Sequence, residues 1–319
     1  MLRVVAGWMA ALGAAGVAGE AALPLRSHDV VALVGGATLV AADRDGALET
    51  LLTLAHGGKG VRFRNLAWEG DTVFARPREV NFPDTLEQLR AVEATVVLVQ
   101  FGAMEAMEAM EATDSGRDWV AFREAYGRLL DEVRARVPRT VVVTPVPFEV
   151  KAPPLPDLAA RNDVLGRYAA VARDLAAARG LALVDVFGAW AGRAPGEGWT
   201  TDGRELTATG HEAVAAAWVG AMGEAAWAER AWAPSFWERE DIRAVREAVR
   251  AKNGLWFDAW RPMNWAFLGG DRVDQPSSRD HRDPTVRWFP IEMARYGPLI
   301  MEAEARVASR VAQVGEEAR

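Results

Sequence analysis

Val30-Val31-Ala32-Leu33-Val34-Gly35-Gly36-Ala37-Thr38 sets five apolar residues, three of them β-branched, directly against a Gly-Gly turn. A run that short, with no polar alternation, is the pattern of a strand buried on both faces, which is where parallel sheets use it. Similar runs return at 61–66, 95–101, 140–146 and 181–187. Between them, 46–55, 84–92, 119–137 and 158–179 carry apolar residues at helical spacing. Strands alternating with helices predict an α/β fold, a parallel sheet of about five strands covered by helices on both faces. Ligands bind such sheets at the carboxyl ends of the strands, so the loops that follow the strands are where chemistry is to be sought.

With 319 residues and half of them hydrophobic, the chain has enough material for one large core and an appendage. The net charge of -7 comes without any basic cluster, which argues against nucleic acid and anionic membrane surfaces as partners. Cysteine is absent, so disulfides, thiolate metal sites and a cysteine nucleophile are excluded. No histidine spacing suggests a transition metal, and no cofactor is expected. The Gly-Gly turn lacks the Gly-Lys-Ser/Thr element or third glycine of a phosphate cradle.

Toward the N-terminus, residues 1–22 run from Arg3 through an apolar stretch into Ala18, Gly19, Ala21 and Ala22, the order of a secretory signal peptide. Export to the periplasm or the extracellular space is the corresponding expectation. Glu20 interrupts the apolar run, so no permanent membrane span is expected. Toward the C-terminus the strand and helix alternation stops after about Trp227. Residues 235–260 and 291–314 read as helices joined by a long polar loop, 261–290, and together form a helical extension over 235–315. The segment 103–112 repeats Met-Glu-Ala and predicts a short helix exposing Glu105, Glu108 and Glu111 on one side.

Four loop blocks carry the chemistry. The first strand enters Gly35-Gly36-Ala37-Thr38, the second Asn65-Leu66-Ala67-Trp68-Glu69-Gly70-Asp71-Thr72, the third Phe101-Gly102-Ala103-Met104-Glu105, and a late block reads Thr201-Asp202-Gly203-Arg204-Glu205-Leu206 before Gly210. Their order and spacing resemble the SGNH/GDSL hydrolases, a family of esterases and acylhydrolases, over roughly residues 28–225. The Trp260-Arg261-Pro262-Met263-Asn264 stretch is similar to a motif in a bacterial subgroup with a C-terminal helical extension. The resemblance implies a three-layer α/β/α flavodoxin-like sandwich, with residues 28–227 as the hydrolase-like domain. It also implies a serine nucleophile in the first block and an Asp-x-x-His pair in the late block. The oxyanion would be held by the nucleophile's N–H, the second-block glycine N–H and a third-block asparagine.

Carried onto this chain, Gly35, Gly70 and Asp202 match, while Ala37 stands at the serine, Met104 at the asparagine and Glu205 at the histidine. A methyl group cannot attack a carbonyl and a thioether cannot donate to an oxyanion. Losing the nucleophile or its base commonly costs about 10⁴ to 10⁶ in rate. Thr38 offers a hydroxyl one residue on, either as a substitute nucleophile or simply satisfying an N–H at the turn. Asp202 and Glu205, three residues apart, would share a face of a helical turn and either share a proton or stand solvated. His281, in the polar loop among hydroxyls and carboxylates, is the histidine best placed to bring an imidazole over the cleft. His28 and His56 read as surface residues, and His211 as the start of the helix after the late block, with its ring either turned away from the pocket or facing it. Of thirteen tryptophans, Trp256, Trp260, Trp265 and Trp288 flank the polar loop, either stacking on sugar rings or fixing the extension by apolar burial.

Three functions are compatible with these residues. One is a degenerate member binding an acylated or carboxylated ligand, carbohydrate included, between Gly35, Gly36, Ala37, Gly70 and Met104. Another is an ester hydrolase rebuilt on Thr38, Asp202, Glu205 and His281. The third is a structural partner domain that uses its Trp-rich extension as the contact surface.

Overall fold

The computed structural model describes residues 23–111, 118–190 and 198–314; the expected export signal at 1–22 lies outside them. The sheet has five parallel strands, β1 (Val30–Gly35), β2 (Arg62–Asn65), β3 (Val96–Gln100), β4 (Thr140–Val143) and β5 (Ala182–Val184), in the order β2-β1-β3-β4-β5. Val31 and Leu33 pair with Val96 and Leu98 of β3, and Leu33 also with Asn65 of β2. Because side chains alternate along a strand, Val31 and Leu33 enter the core on one face, Ala32 and Val34 the core on the other. This order reverses the direction of winding at β1 and β3, where a crevice opens at the carboxyl ends.

On the face of Val31 lie α1 (Ala37–Asp45), α2 (Ala47–Ala55) and, later in the chain, Trp218 and Ile242. On the other face lie α3 (Thr85–Ala91), α4 (Ala103–Glu111), α5 (Trp119–Arg136) and α6 (Asn162–Arg179), where Phe122, Tyr126 and Tyr168 are fully buried. Local signals fix the ends. Asp84 and Glu87 form a reciprocal capping box at α3, Asp118 caps α5, and Gly180 closes α6 in the left-handed conformation. Gly46, at φ +82°, turns the chain between α1 and α2, so the helix expected at 46–55 is preceded by another that begins at Ala37.

After β5 come α7 (Val186–Trp190), α8 (Ala208–Ala221), α9 (Ala225–Ala231), α10 (Pro234–Glu238) and α11 (Glu240–Trp260). The chain ends in α12 (Trp265–Leu268), α13 (Trp288–Ala294) and α14 (Tyr296–Ala312). Several expectations need correction here. Val186 and Phe187 belong to α7 rather than to the fifth strand, because the Asp185 carboxylate accepts the Gly188 N–H and starts a helix there. The helix expected at 235–260 is broken at Arg239, and the final one starts at Trp288 and breaks at Arg295. The long loop 261–290 is interrupted by α12 and by a 3-10 turn at Pro276–Ser278. His56 is buried, not superficial: α14 approaches the end of α2, and the His56 ring lies 3.5 Å from Glu224.

The C-terminal helices pack onto the α1 and α2 side. Arg246 on α11 grips both Asp45 carboxylate oxygens, at 2.6 and 2.7 Å, and also Glu212 of α8 at 2.6 Å. Trp256 donates its indole N–H to the Asn65 carbonyl at 2.8 Å and stacks on Trp260 with ring centres 5.6 Å apart. Trp265 donates to the Val80 carbonyl, and Phe82 meets both Trp260 and Trp265 edge-on. These three tryptophans therefore fix the extension to the sheet domain, while Trp288 is exposed.

Candidate functional site

The first block is held by close backbone approach. A Cβ on Gly35 would lie 2.4 Å from the Gln100 carbonyl oxygen on β3, so only glycine fits where β1 ends. Gly36 is the N-cap of α1 with no side-chain cap, and Ala37 is the first helical residue. The Trp68 N–H donates to the Gly35 carbonyl at 3.0 Å, which brings the second block beside the first. Asn65 adds two ties, its amide donating to the Leu39 carbonyl at 2.7 Å and its side-chain oxygen accepting from the Ala67 N–H at 2.9 Å.

The second block is fixed from outside by cations. Arg78 binds both Asp71 oxygens at 2.6 and 2.7 Å, and Arg261 donates to Glu69 at 2.7 Å and to the Ala67 carbonyl. Each guanidinium carbon is 4.2 Å from the Trp68 ring centre. Burial raises the Glu69 carboxyl, and the Arg261 and Arg44 guanidinium groups more than reverse this and hold it below its ordinary range.

The second and third blocks are joined by Glu105. Only 1% exposed, it accepts from the Val73 N–H at 2.7 Å and from the Gly102 N–H at 2.8 Å. The expectation of Glu105 on a solvated helix face is therefore wrong: it turns back over the start of α4 to satisfy two buried donors. Burial pushes its carboxyl up, opposed by those same N–H groups.

The late block hangs on Glu149, which accepts from the N–H groups of Gly198, Trp199 and Thr200, the Thr200 hydroxyl and Lys151. Burial would raise Glu149, but Lys151 and the Thr200 donors prevail and hold it down at about 2. Asp202 accepts from the Arg204 and Glu205 N–H groups at 2.9 and 2.7 Å. Asp202 thus closes a turn and does not form the side-by-side carboxylate pair expected with Glu205, whose side chain is 70% exposed. Thr207 caps α8, and a Cβ on Gly210 would lie 2.0 Å from the Trp199 carbonyl oxygen, which presses the start of α8 against the block.

The four blocks meet around a cleft of about 430 Å³ at the carboxyl ends of the strands, lined by Gly36, Ala37, Thr38, Met104, Glu205 and His211 among others. Gly35, Gly70 and Asp202 do not line it, while the neighbours of Gly70, Glu69 and Asp71, do. His281 is not brought there. Its loop closes on itself through the Asp280 N–H to the Val286 carbonyl, and its ring is 82% exposed beside Asp280. The histidine that does line the cleft is His211, at the start of α8, so of its two sequence alternatives the pocket-facing one holds. Its burial lowers the ring's affinity for a proton, Arg246 and Arg250 add to this, and Asp45 opposes it. A second cavity of about 520 Å³ opens between α2, the start of β2 and α14, away from all four blocks, and contains the Lys252–Glu49 pair at 2.8 Å. Among the described residues no cluster of three or more His, Cys, Asp or Glu is close enough to hold a metal, and no helix is long and apolar enough to cross a membrane.

Residues 25–213 match the model of the GDSL-like Lipase/Acylhydrolase family. Among curated proteins no significant sequence match exists. Solved structures with a similar fold include a catalytic mutant of an acetylxylan esterase from Geobacillus stearothermophilus, at 14% identity and a TM-score of 0.50 over 63% of this chain and 97% of that one. A putative GDSL-like lipase from Parabacteroides merdae shares 18% identity at a TM-score of 0.49, over 63% and 98% of the two chains. A lipase/acylhydrolase from Enterococcus faecalis shares 19% at 0.44, over 59% and 92%.

Proposed function

The chain belongs to the GDSL-like lipase/acylhydrolase family, and from that premise we propose that it is a binding member, whose cleft takes an acylated or carboxylated ligand without forming an acyl-enzyme. The observation that carries this reading is Ala37 at the head of α1, facing the cleft with a methyl group. Among the described residues no hydroxyl, imidazole and carboxylate are hydrogen-bonded in series around the cavity, as nucleophilic hydrolysis requires. Met104 lends the opposite wall a thioether, which suits an apolar body and not an oxyanion. An acylated carbohydrate is one candidate ligand. Residues 1–22 make export part of the same proposal, testable by N-terminal sequencing of the mature chain.

The test is hydrolysis of p-nitrophenyl acetate and butyrate. The native chain is expected at the buffer rate, and the combined A37S, M104N and E205H variant to gain turnover. A second reading, hydrolysis rebuilt on Thr38, has one observation in its favour: the Thr38 hydroxyl and the His211 ring line the same cavity, and neither has a hydrogen-bond partner among the described residues. Native turnover that disappears in T38V or H211Q would replace the first reading with this one.

A further inference from the structure

The cavity between α2 and α14 belongs to none of the four blocks. Its wall comes from segments that meet only after folding: the end of α2, the start of β2, one residue of α11 and the C-terminal helix. Val307, Ala308 and Val311 of α14 line it together with Val61 and Phe63, which makes much of the surface apolar. At about 520 Å³ it has the room of a small-molecule site.

The inner charges of this wall are already paired. Glu49 holds Lys252 at 2.8 Å, and Glu304 holds Arg64 at 2.6 Å. Arg62, the other ionic side chain of the lining, is exposed. A charged ligand would therefore leave water without finding a free buried counter-ion.

One buried polar group remains open. His56 stands at the C-cap of α2 and lines the cavity, its side chain is 1% exposed, and its Nε2 has no hydrogen-bond partner among the described residues. The other ring nitrogen, Nδ1, lies 3.3 Å from the Lys59 ammonium, with Glu224 farther off at 3.5 Å. An ammonium only donates, so Nδ1 is the acceptor. Burial, aided by Lys59 and opposed by Glu224 and Asp29, lowers the ring's affinity for a second proton. The ring is thus neutral with its single N–H on Nε2, a donor shut off from bulk water and without an acceptor, where buried donors are normally paired.

We propose that this cavity is a second binding site, for an uncharged and mainly hydrocarbon molecule that carries one acceptor oxygen, such as a ketone or an ether. The oxygen accepts from His56 Nε2, and the hydrocarbon body replaces water along Val61, Phe63, Val307 and Val311. None of these residues lines the cleft of the four blocks, so the site is separate from whatever the cleft binds.

Ligand-observed NMR titration of the full chain with α-tetralone, tetralin and tetralin carboxylate tests this. The first two differ by a carbonyl in place of a methylene, and the third adds a negative charge. Tetralone is expected to bind about tenfold more tightly than either, the worth of one hydrogen bond to a buried donor. Ala308 is an exposed position of α14 from which an indole can fill the cavity, so A308W is expected to weaken tetralone about tenfold or more. H56F keeps a ring and loses the N–H, and tetralone and tetralin are expected to bind it alike. Tetralone binding undiminished in A308W overturns the site. Tetralin binding the native chain as tightly as tetralone, or a preference for tetralone that persists in H56F, overturns the role of His56, and a carboxylate that binds as tightly overturns the uncharged assignment. Absence of binding by all three overturns the proposal as a whole, and none of these outcomes bears on the reading of the cleft.

Discussion

Arg261 and Glu69 face each other at 2.7 Å across the seam between the C-terminal helices and the loop that carries Gly70. The arginine comes from the Trp-Arg-Pro-Met-Asn stretch and the glutamate from the second block, so a motif about 190 residues downstream holds one wall of the cleft. Glu69 is 44% exposed, so the ion pair itself contributes little; the packing of the guanidinium on Trp68 and Phe257 adds to it.

R261A is therefore expected to lower stability by about 1–2 kcal/mol and to speed amide exchange at Gly70 and Asp71. R261K, which keeps the charge and loses the planar fork, is expected to fall between the two. Denaturant unfolding with site-resolved hydrogen exchange checks both; unchanged exchange in R261A would mean that the block holds itself.

Two glycines of the loop blocks should respond oppositely to alanine. G35A drives a methyl group against the Gln100 carbonyl and Leu39, so a loss of about 3 kcal/mol or more, or an insoluble chain, is expected. Gly70 has open space where its Cβ would stand, and G70A should stay within about 0.5 kcal/mol. Thermal unfolding of the two variants side by side is the measurement.

Glu105 holds two N–H groups that have no water to turn to. E105A should cost about 2–4 kcal/mol, the sum of two unmet buried donors, and should loosen the second block against the third. E105Q retains one acceptor oxygen and is expected to cost about half as much in the same denaturant titration.

Asp43, on α1 where Asn253 of α11 reaches its carbonyl, has its carboxyl raised to about 7 by burial, with Glu49 adding to the rise and Lys252 opposing it. The folded chain therefore holds a proton there that the unfolded chain releases from about pH 4 upward. The resulting stability is present in acid and is lost as pH rises toward and through 7. D43N should flatten that loss and be the more stable form at pH 8, by on the order of 2 kcal/mol. Equal pH slopes for D43N and the native chain between pH 5 and 8 would refute it.

The strands were legible because burial on both faces leaves an uninterrupted apolar run, and all five runs coincide with the observed strands to within three residues at each end. Helix ends were legible where a side chain makes the cap, as Asp84 and Asp118 do. The failures share a cause: the deciding contact is distant in sequence. Glu105 looks solvated in its repeat, and only its meeting with Val73 buries it. His56 looks superficial until α14 covers the end of α2. His281 has attractive neighbours in sequence but lies in a loop that closes on itself. For His211 a signal was present, a histidine four residues after the capping Thr207, but a local pattern does not say which side of a helix meets the sheet.

Asp45 ends the helix whose first residues floor the cleft, and the two arginines that hold it come from α11, some two hundred residues later. The stretch recognisable as a GDSL domain stops at 213, so it excludes the clasp that keeps its own mouth in shape. A fragment cut at that boundary would keep all four loop blocks while releasing the far end of the helix on which the first of them is mounted. A fragment that extends through the Arg246 and Arg250 turns of α11 is accordingly expected to hold the cleft in shape better than one cut at 213.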